Sequence, residues 1–154
     1  MSNHPLFTVR CRGVIRHNGK LLVVTHAGNN EAIQVLPGGH LEVGEDVRTA
    51  ISRELIEELG VVPVVGDVLY IHSFTDSQNR HSVEFIFQIE NGHEYINCET
   101  LVRSHAAELH SIEFVSPTEA VTLLPIGVRV DFLNGVLGDG CLRYLHNGLR
   151  VDNH

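Results

Sequence analysis

The segment from residue 46 to residue 59 contains no glycine or proline. Its aliphatic side chains recur at every fourth position, at Val47, Ile51, Leu55 and Leu59. This spacing places them on one side of an α-helix. Gly60 follows directly and is a typical C-terminal stop. The sequence therefore predicts an α-helix over residues 46–59.

Several segments on either side of this helix have the composition of β-strands. Two runs rich in Val, Ile and Leu, 7–15 and 20–25, are separated by His-Asn-Gly, a hairpin signal. A short apolar run, 33–36, leads into Pro-Gly-Gly, where the backbone must turn sharply. Beyond the helix, residues 65–74 and 82–90 are joined by a polar loop. The four longer runs are predicted to be strands.

The C-terminal third has weaker patterns. Residues 91–109 lack periodicity and are predicted to form a long loop, and residues 111–115 a strand. Ser116 can cap a helix, with Pro117 in its first turn and Glu119 completing a capping box, so we expect a helix to begin there. The glycine-interrupted helical spacing within residues 128–145 predicts one or two shorter helices.

Length and element order limit the architecture. A chain of 154 residues, 43% of them hydrophobic, is enough for one core and too short for two ordinary domains. We therefore expect a single domain over residues 1–154. Strands, helix, strands and helix in this order indicate an α/β or α+β fold with helices packed on a mixed sheet.

Charge and cysteine content limit the partners and the compartment. The formal net charge of -8 disfavours nucleic acid polymers as ligands. The three cysteines form no C-x-x-C pair, which fits a reducing, cytoplasmic setting. The N-terminus lacks the apolar region of a signal peptide, and no run approaches the roughly 18 apolar residues of a membrane span. We expect a cytoplasmic protein without a membrane partner.

Three carboxylates lie close together on the predicted helix: Glu54, Glu57 and Glu58. Like charges three or four residues apart weaken a helix by roughly 0.2–0.5 kcal/mol per pair. An acidic helical patch is more often simply a solvated surface. Here, however, Glu54 and Glu58 lie on the side of Val47 and Ile51 and should point toward the protein body. Oxygen ligands at this spacing suit Mg²⁺, which would relieve the repulsion.

Nearby residues fit a site of this kind. Arg53 and Glu45 are two helical turns apart, so Arg53 can hold a carboxylate through a bidentate pair. The alternative is an ordinary surface ion pair. Gly38, Gly39 and Gly44 leave room for backbone amides close to an anion, although alone they indicate only turns.

From Gly39 the chain reads GHLEVGEDVRTAISRELIEELGV. This stretch resembles the Nudix hydrolase signature, G-x5-E-x7-R-E-U-x-E-E-x-G-U with U aliphatic, at every specified position. The flanks GKLLVVTHAG, LPGG and IEFVSPTEA also resemble the family, so the similarity covers most of the chain. The resemblance implies an α+β fold, an α/β/α sandwich with a mixed β-sheet flanked by helices.

The resemblance also implies a site and a cofactor. Family members bind Mg²⁺ or Mn²⁺ and hydrolyse nucleoside diphosphates linked to another moiety, X. Carried over by position, the metal ligands are Glu54, Glu57 and Glu58, with Gly39 opening the loop at the metal site and Arg53 orienting Glu54. A further carboxylate is expected from the loop before the last strand. Glu108 is the first candidate there; Glu94 and Glu99 are the alternatives. The general base is either Glu54 or this loop glutamate.

Substrate contacts carry a weaker signal. Arg10 and Arg12 alternate along the first strand, and Arg80 precedes a later one, so each can hold phosphate or ribose. Glu84 either contacts substrate or faces solvent, and the arginines can equally be exposed strand residues. The 11 histidines show no zinc-site spacing.

We therefore expect a pyrophosphohydrolase acting on a small-molecule nucleotide and releasing a nucleoside monophosphate. A non-catalytic nucleotide-binding module is the alternative, and a structural ion-binding protein explains less of the pattern. Two Nudix subfamilies carry a marker downstream of the signature, which spans residues 39–61 and is called the box below: a proline or a tyrosine. Both are absent from residues 74–79, which disfavours ADP-ribose and dinucleoside polyphosphates as substrates. Nucleoside triphosphates and nucleotide sugars stay open. Relatives commonly dimerise, so a homodimer is also considered.

Overall fold

The computed structural model describes residues 6–26, 33–98 and 109–152. Ten strands and two α-helices lie in these ranges, with one short 3-10 helix at Gly92–Tyr95. The helices are α1, Val47–Leu59, and α2, Ile126–Leu133. The strands are β1 Phe7–His17, β2 Lys20–His26, β3 Gln34–Val35, β4 Gly38–His40, β5 Val65–Thr75, β6 His81–Ile89, β7 Leu109–Val115, β8 Leu123–Leu124, β9 Arg143–His146 and β10 Leu149–Arg150.

The strands form a mixed sheet in the order β10-β9-β5-β6-β1-β2-β3-β8, with β4 also paired to β1 and β7 to β2. β1 lies parallel to β6 and antiparallel to β4, whose Gly39 is opposite Cys11. The β1–β2 hairpin closes at the predicted Asn-Gly turn. β1 therefore places its own residues between the loop before α1 and the strand β6.

The two faces of the sheet are covered by different helices. Val14 and its neighbour Ile15 point to opposite faces, since side chains alternate along a strand. Val14 lies in a core cluster with Val128 and Phe132 of α2. Ile15 lies in a second cluster with Ile51, Leu55 and other residues of α1. The resulting α/β/α layering confirms the predicted α+β fold with helices on both sides of a mixed sheet.

Helix α1 forms where the pattern predicts it, with residue 46 as the N-cap. The Asp46 side chain accepts hydrogen bonds from the N–H groups of Arg48, at 2.9 Å, and Thr49, at 3.0 Å. Gly60 ends the helix in the left-handed region at φ 76° and donates its N–H to the Ile56 carbonyl. Both ends thus have the capping residues that their geometry requires.

The prediction of a loop over residues 91–109 is wrong in two places. Gly92–Tyr95 form a 3-10 helix, and β7 begins at Leu109. Tyr95 is buried in the α1 cluster, and its hydroxyl donates to the Val61 carbonyl at 3.0 Å. One buried aromatic anchor therefore orders a segment that has no periodic pattern.

The helix expected at Ser116 is also absent from the described residues. The Ser116 N–H does donate to the Glu119 carboxylate, at 2.8 Å, but the chain makes a single turn there. Leu123 then enters β8 and is fully buried in the α2 cluster. Burial of this side chain outweighs the local helix signal, and α2 begins later, at Ile126.

Of residues 128–145, only 128–133 are helical, as part of α2, so one of the one or two predicted shorter helices forms. The helix ends at Leu133; Gly135, Gly138 and Gly140 follow it with positive φ angles, and the chain continues into the β9–β10 hairpin. Asn147 and Gly148 form the turn of that hairpin, both at positive φ. No helix in the described ranges is long and apolar enough to cross a membrane.

Candidate active site

Arg53 joins helix α1 to the loop that precedes it. Its Nε and Nη2 donate to the two carboxylate oxygens of Glu45, each at 2.8 Å, which is the bidentate pair predicted from the spacing. Nη2 also donates to the His40 carbonyl at 3.0 Å. The charge of Arg53 and the main-chain N–H of Glu42 lower the pKa of Glu45 to about 2. This contact fixes the position of the loop that contains Glu45 relative to α1.

The Glu45 pair gives stability a defined pH dependence. Because the folded-state pKa is about 2 against an ordinary 4.5, the pair stabilises the protein above pH 4.5, and that contribution is lost as the pH falls toward 2. Glu45→Gln should therefore lower the melting temperature at pH 7, and its difference from wild type should shrink between pH 4.5 and 2. Melting curves of both proteins between pH 7 and pH 2 test this prediction. A difference in melting temperature that stays constant with pH would contradict it.

Glu54 lies directly over Gly39. A Cβ atom added at Gly39 would stand 2.5 Å from Glu54 Cδ and 2.6 Å from both carboxylate oxygens. Burial raises the pKa of Glu54, although Arg53, whose Nη1 donates to Oε1 at 3.0 Å, opposes that shift. The missing side chain at Gly39 is what makes room for this half-buried carboxylate.

Glu58 points inward and Glu57 toward the rim. Glu58 is only 6% exposed, and its Oε2 accepts the Gly38 N–H at 3.1 Å. The Glu57 side chain is 29% exposed, with Oε2 3.4 Å from Arg53 Nη1. Glu54 and Glu58 thus point toward the body of the protein, as their angular position predicts, and β4 lies against both of them.

The donor set has the chemistry of a site for a hard divalent cation, because all three side chains offer carboxylate oxygens. A cation would also offset the burial that raises the pKa of Glu54. As they stand, no three His, Cys, Asp or Glu side chains in residues 6–26, 33–98 and 109–152 form a metal-binding group. Arg53 Nη1 donates hydrogen bonds to both Glu54 and Glu57, so these carboxylates must change their hydrogen bonding to Arg53 when they bind a metal ion.

Of the three loop glutamates, two fall outside the described residues. Glu108 and Glu99 lie within the gap between residues 98 and 109. Glu94 is exposed on the 3-10 helix, where its carboxylate accepts a hydrogen bond from Asn91 Nδ2. The Glu94 carboxylate therefore takes part in a local hydrogen bond at this 3-10 helix.

A pocket of about 510 Å³ opens beside β1, within the usual range of about 300–1,000 Å³ for ligand sites. Phe74 and the segments 35–36 and 124–126 give it apolar walls. Its polar lining includes Arg10, Arg12, His72, Thr75, Glu84 and Asn147. Three of the four predicted substrate residues therefore lie together here. The fourth, Arg80, is not in this lining and pairs with Asp76 at 2.8 Å.

Glu84 is 5% exposed, so the expectation that it could face solvent is wrong. Both faces of β6 are covered, and alternation along the strand therefore does not imply an exposed side. Burial alone would raise the pKa of Glu84, but hydrogen bonds from His72, at 2.9 Å, and Arg12, at 3.3 Å, lower it on balance. Glu84 is thus an ionised carboxylate that holds its neighbours.

Arg10 is the pocket's available cation. Its Nε is buried and has no hydrogen-bond partner within the described part of the chain. Its guanidinium stands 5.5 Å from the ring centroid of Phe74, a cation–π contact. Burial and the adjacent Arg12 lower the pKa of Arg10. An anionic ligand at this position would relieve both the burial and the repulsion.

Sequence reasoning missed His72, Phe74 and Asn147. His72 and Phe74 are two residues apart on β5 and stack with ring centroids 4.7 Å apart. Their spacing gave one signal, since it puts both side chains on one face of a strand. Asn147-Gly148 gave another: it is the same hairpin signal that separates β1 from β2.

The chain matches known proteins in sequence and in fold. A family model described as NUDIX domain matches residues 6–131. The chain is 34% identical over 89 residues to an ADP-ribose pyrophosphatase of Methanocaldococcus jannaschii, covering 56% of this chain and 52% of that protein. It is 35% identical over 86 residues to phosphatase NudJ of Escherichia coli K12, covering 56% of this chain and 55% of that protein. The chain thus spans about half the length of these curated relatives.

A solved structure supports the fold. The MutT protein from Methanosarcina mazei Go1 superposes with a TM-score of 0.65 at 21% identity, covering 86% of this chain and 95% of that chain.

Proposed function

The chain belongs to the Nudix family, and on this premise we propose that it is a divalent-metal-dependent hydrolase of the pyrophosphate bond in a nucleoside diphosphate linked to a group X. The observation that carries the proposal is the arrangement of the box. Glu54 and Glu58 lie against Gly38 and Gly39 of β4, and Arg53 joins β4 to α1 through the His40 carbonyl. All the carboxylates that the signature requires are present.

Glu54, Glu57 and Glu58, with the main chain at Gly39, would hold Mg²⁺ or Mn²⁺. When bound, the divalent cation neutralises charge on the diphosphate oxygens and makes the phosphorus easier to attack. Arg53 restrains Glu54. Because burial raises the pKa of Glu54, that carboxylate is suited to accept a proton from the attacking water. Glu108 is the alternative base.

The pocket beside β1 receives the part of the substrate that extends from the diphosphate. Arg10 and Arg12 offer positive charge to phosphate oxygens of the substrate. Phe74 and the apolar walls suit a nucleoside or sugar body. In a chain of net charge -8, this local positive charge and the bound cations attract an anionic substrate.

The substrate class is a nucleoside diphosphate derivative. One relative's name, ADP-ribose pyrophosphatase, puts ADP-ribose among the candidates although the proline marker is missing. Nucleotide sugars and nucleoside triphosphates complete the set. A nucleoside monophosphate and a second phosphate product are the expected outcome.

A substrate panel tests the proposal. The protein is incubated with ADP-ribose, nucleotide sugars and nucleoside triphosphates in Mg²⁺ or Mn²⁺, and both products are identified by chromatography and mass spectrometry. We expect hydrolysis of at least one class, lost on chelation by EDTA and restored by added metal. Tight binding in calorimetry without products over hours would instead identify a non-catalytic nucleotide-binding module.

A further inference from the structure

A series of hydrogen bonds crosses the molecule from the C-terminal hairpin to β1. The Gly148 N–H donates to His72 Nε2 at 2.9 Å. On the other side of the ring, His72 Nδ1 lies 2.9 Å from Glu84 Oε1. The second oxygen of Glu84 accepts from Arg12 Nε at 3.3 Å. His72 and Glu84 are each 5% exposed, so these contacts are largely shielded from water.

The series continues from Arg12 to the box. Arg12 Nη1 donates to the carbonyl oxygens of Leu36, at 3.1 Å, and Gly38, at 3.4 Å. The Gly38 N–H in turn donates to Glu58 Oε2 at 3.1 Å. Hydrogen bonds through the His72 ring, the Glu84 carboxylate and the Arg12 guanidinium therefore connect the β9–β10 turn to Gly38, which contacts Glu58 of α1.

The direction of the first bonds is fixed by chemistry. A backbone N–H can only donate, so His72 Nε2 must be the acceptor and cannot carry the proton. The ring proton is then on Nδ1, which donates to Glu84. With this tautomer, each carboxylate oxygen of Glu84 accepts a hydrogen bond, one from His72 and one from Arg12. The Gly148 contact thus determines which bond His72 offers to the carboxylate.

The turn itself is held independently of His72. The Asn147 N–H donates to the Ser73 carbonyl at 2.8 Å, and Asn147 Oδ1 accepts from the Thr75 N–H at 3.2 Å. The Gly127 N–H donates to the Gly148 carbonyl at 2.7 Å. This hairpin lies outside residues 6–131, the part of the chain that the family model matches.

We propose that His72 is a positioning residue for the reaction. Held by the turn at residues 147–148, it orients Glu84. Glu84 in turn positions Arg12, and Arg12 positions β4, whose Gly38 donates to Glu58. This inference rests on the proposed function of the box. The physical reason is that a buried carboxylate oxygen left without a donor costs free energy. We therefore expect Glu84 to shift toward another donor when the His72 bond is lost, and Arg12 to shift with it.

A matched pair of variants separates the two bonds of His72. In His72→Asn the amide nitrogen takes the place of Nδ1 and keeps the bond to Glu84. In His72→Gln the amide oxygen takes the place of Nε2 and keeps the bond to Gly148. Each variant loses one hydrogen bond, so a merely structural role predicts similar losses of melting temperature and activity.

If His72 positions Glu84, the two variants should lose unequal amounts of activity. With the best substrate of the panel, kcat of H72Q should fall about 10–100-fold, as is typical when the support of a site residue is removed. H72N should retain at least about tenfold more activity than H72Q. Equal losses, or the reverse order, would overturn the proposal.

A second readout does not depend on turnover. Amide hydrogen exchange of Gly38, followed by NMR, should accelerate in H72Q relative to wild type and to H72N, because the Gly38 N–H bond to Glu58 loosens. If the wild type hydrolyses nothing in the panel, the proposed function has failed, and Gly38 exchange alone decides the positioning role. Unchanged exchange in H72Q would reject it.

Discussion

Glu57→Gln is expected to abolish metal-dependent hydrolysis while the fold is kept. Glu57 is at the rim of the site, with 29% of its side chain exposed, so its replacement by an amide of the same shape disturbs little packing. The amide has no charge to bind a divalent cation. A metal ion contributes several kcal/mol to such reactions, and about 1.36 kcal/mol corresponds to a factor of ten. We therefore expect kcat to fall at least about 100-fold.

The matched control is Glu42→Gln. Glu42 also lies near Arg53, at 3.7 Å, but its side chain is 68% exposed and it occupies an unspecified position of the signature. The same change of chemistry there should leave kcat within about twofold of wild type, since exposed ion pairs contribute little. Activity with Mg²⁺ and the melting temperature are measured for both variants. Full activity in Glu57→Gln, or equal loss in both, would refute the metal role of the box helix.

The helix and the box geometry could be predicted from sequence because their signals are local. Aliphatic spacing, the cap at Asp46 and the stop at Gly60 all lie within or beside α1. The Arg53–Glu45 pair depends on spacing along that helix and the loop before it. Such contacts depend little on how distant segments pack. Arg53 and the three carboxylates accordingly lie on the helix that the sequence predicts, whereas Gly39 lies in the strand β4, where only a turn was expected.

The pocket could not be predicted in the same way, because it depends on strand pairing. Glu84 reaches Arg12 across parallel strands, and His72 reaches Gly148 through the pairing of β5 with β9. Nothing local in the chain links residues so far apart. The covered second face of β6 likewise hid the burial of Glu84. The substrate pocket is therefore the part that required the tertiary structure.

The second large effect concerns Gly38 and Gly39, at the start of the box, whose replacement should have different consequences. Gly38 has φ 144°, and a Cβ there would lie 2.0 Å from the Cys11 carbonyl oxygen. Because the obstacle is backbone, Gly38→Ala must open the β1–β4 pairing. Backbone strain alone costs about 1–3 kcal/mol, and the clash adds to it. We expect a large drop in the free energy of unfolding, measured by denaturant titration.

Gly39→Ala should instead lose activity with a smaller loss of stability. Its Cβ would meet the end of the Glu54 side chain, which can move aside. Moving it breaks the contact with Arg53 Nη1 and displaces a proposed metal ligand. Since a displacement of about 1 Å can cost about 100-fold in rate, kcat should fall by that order while the variant stays folded. Wild-type kcat in Gly39→Ala would show that the position of Glu54 over Gly39 does not matter for the reaction.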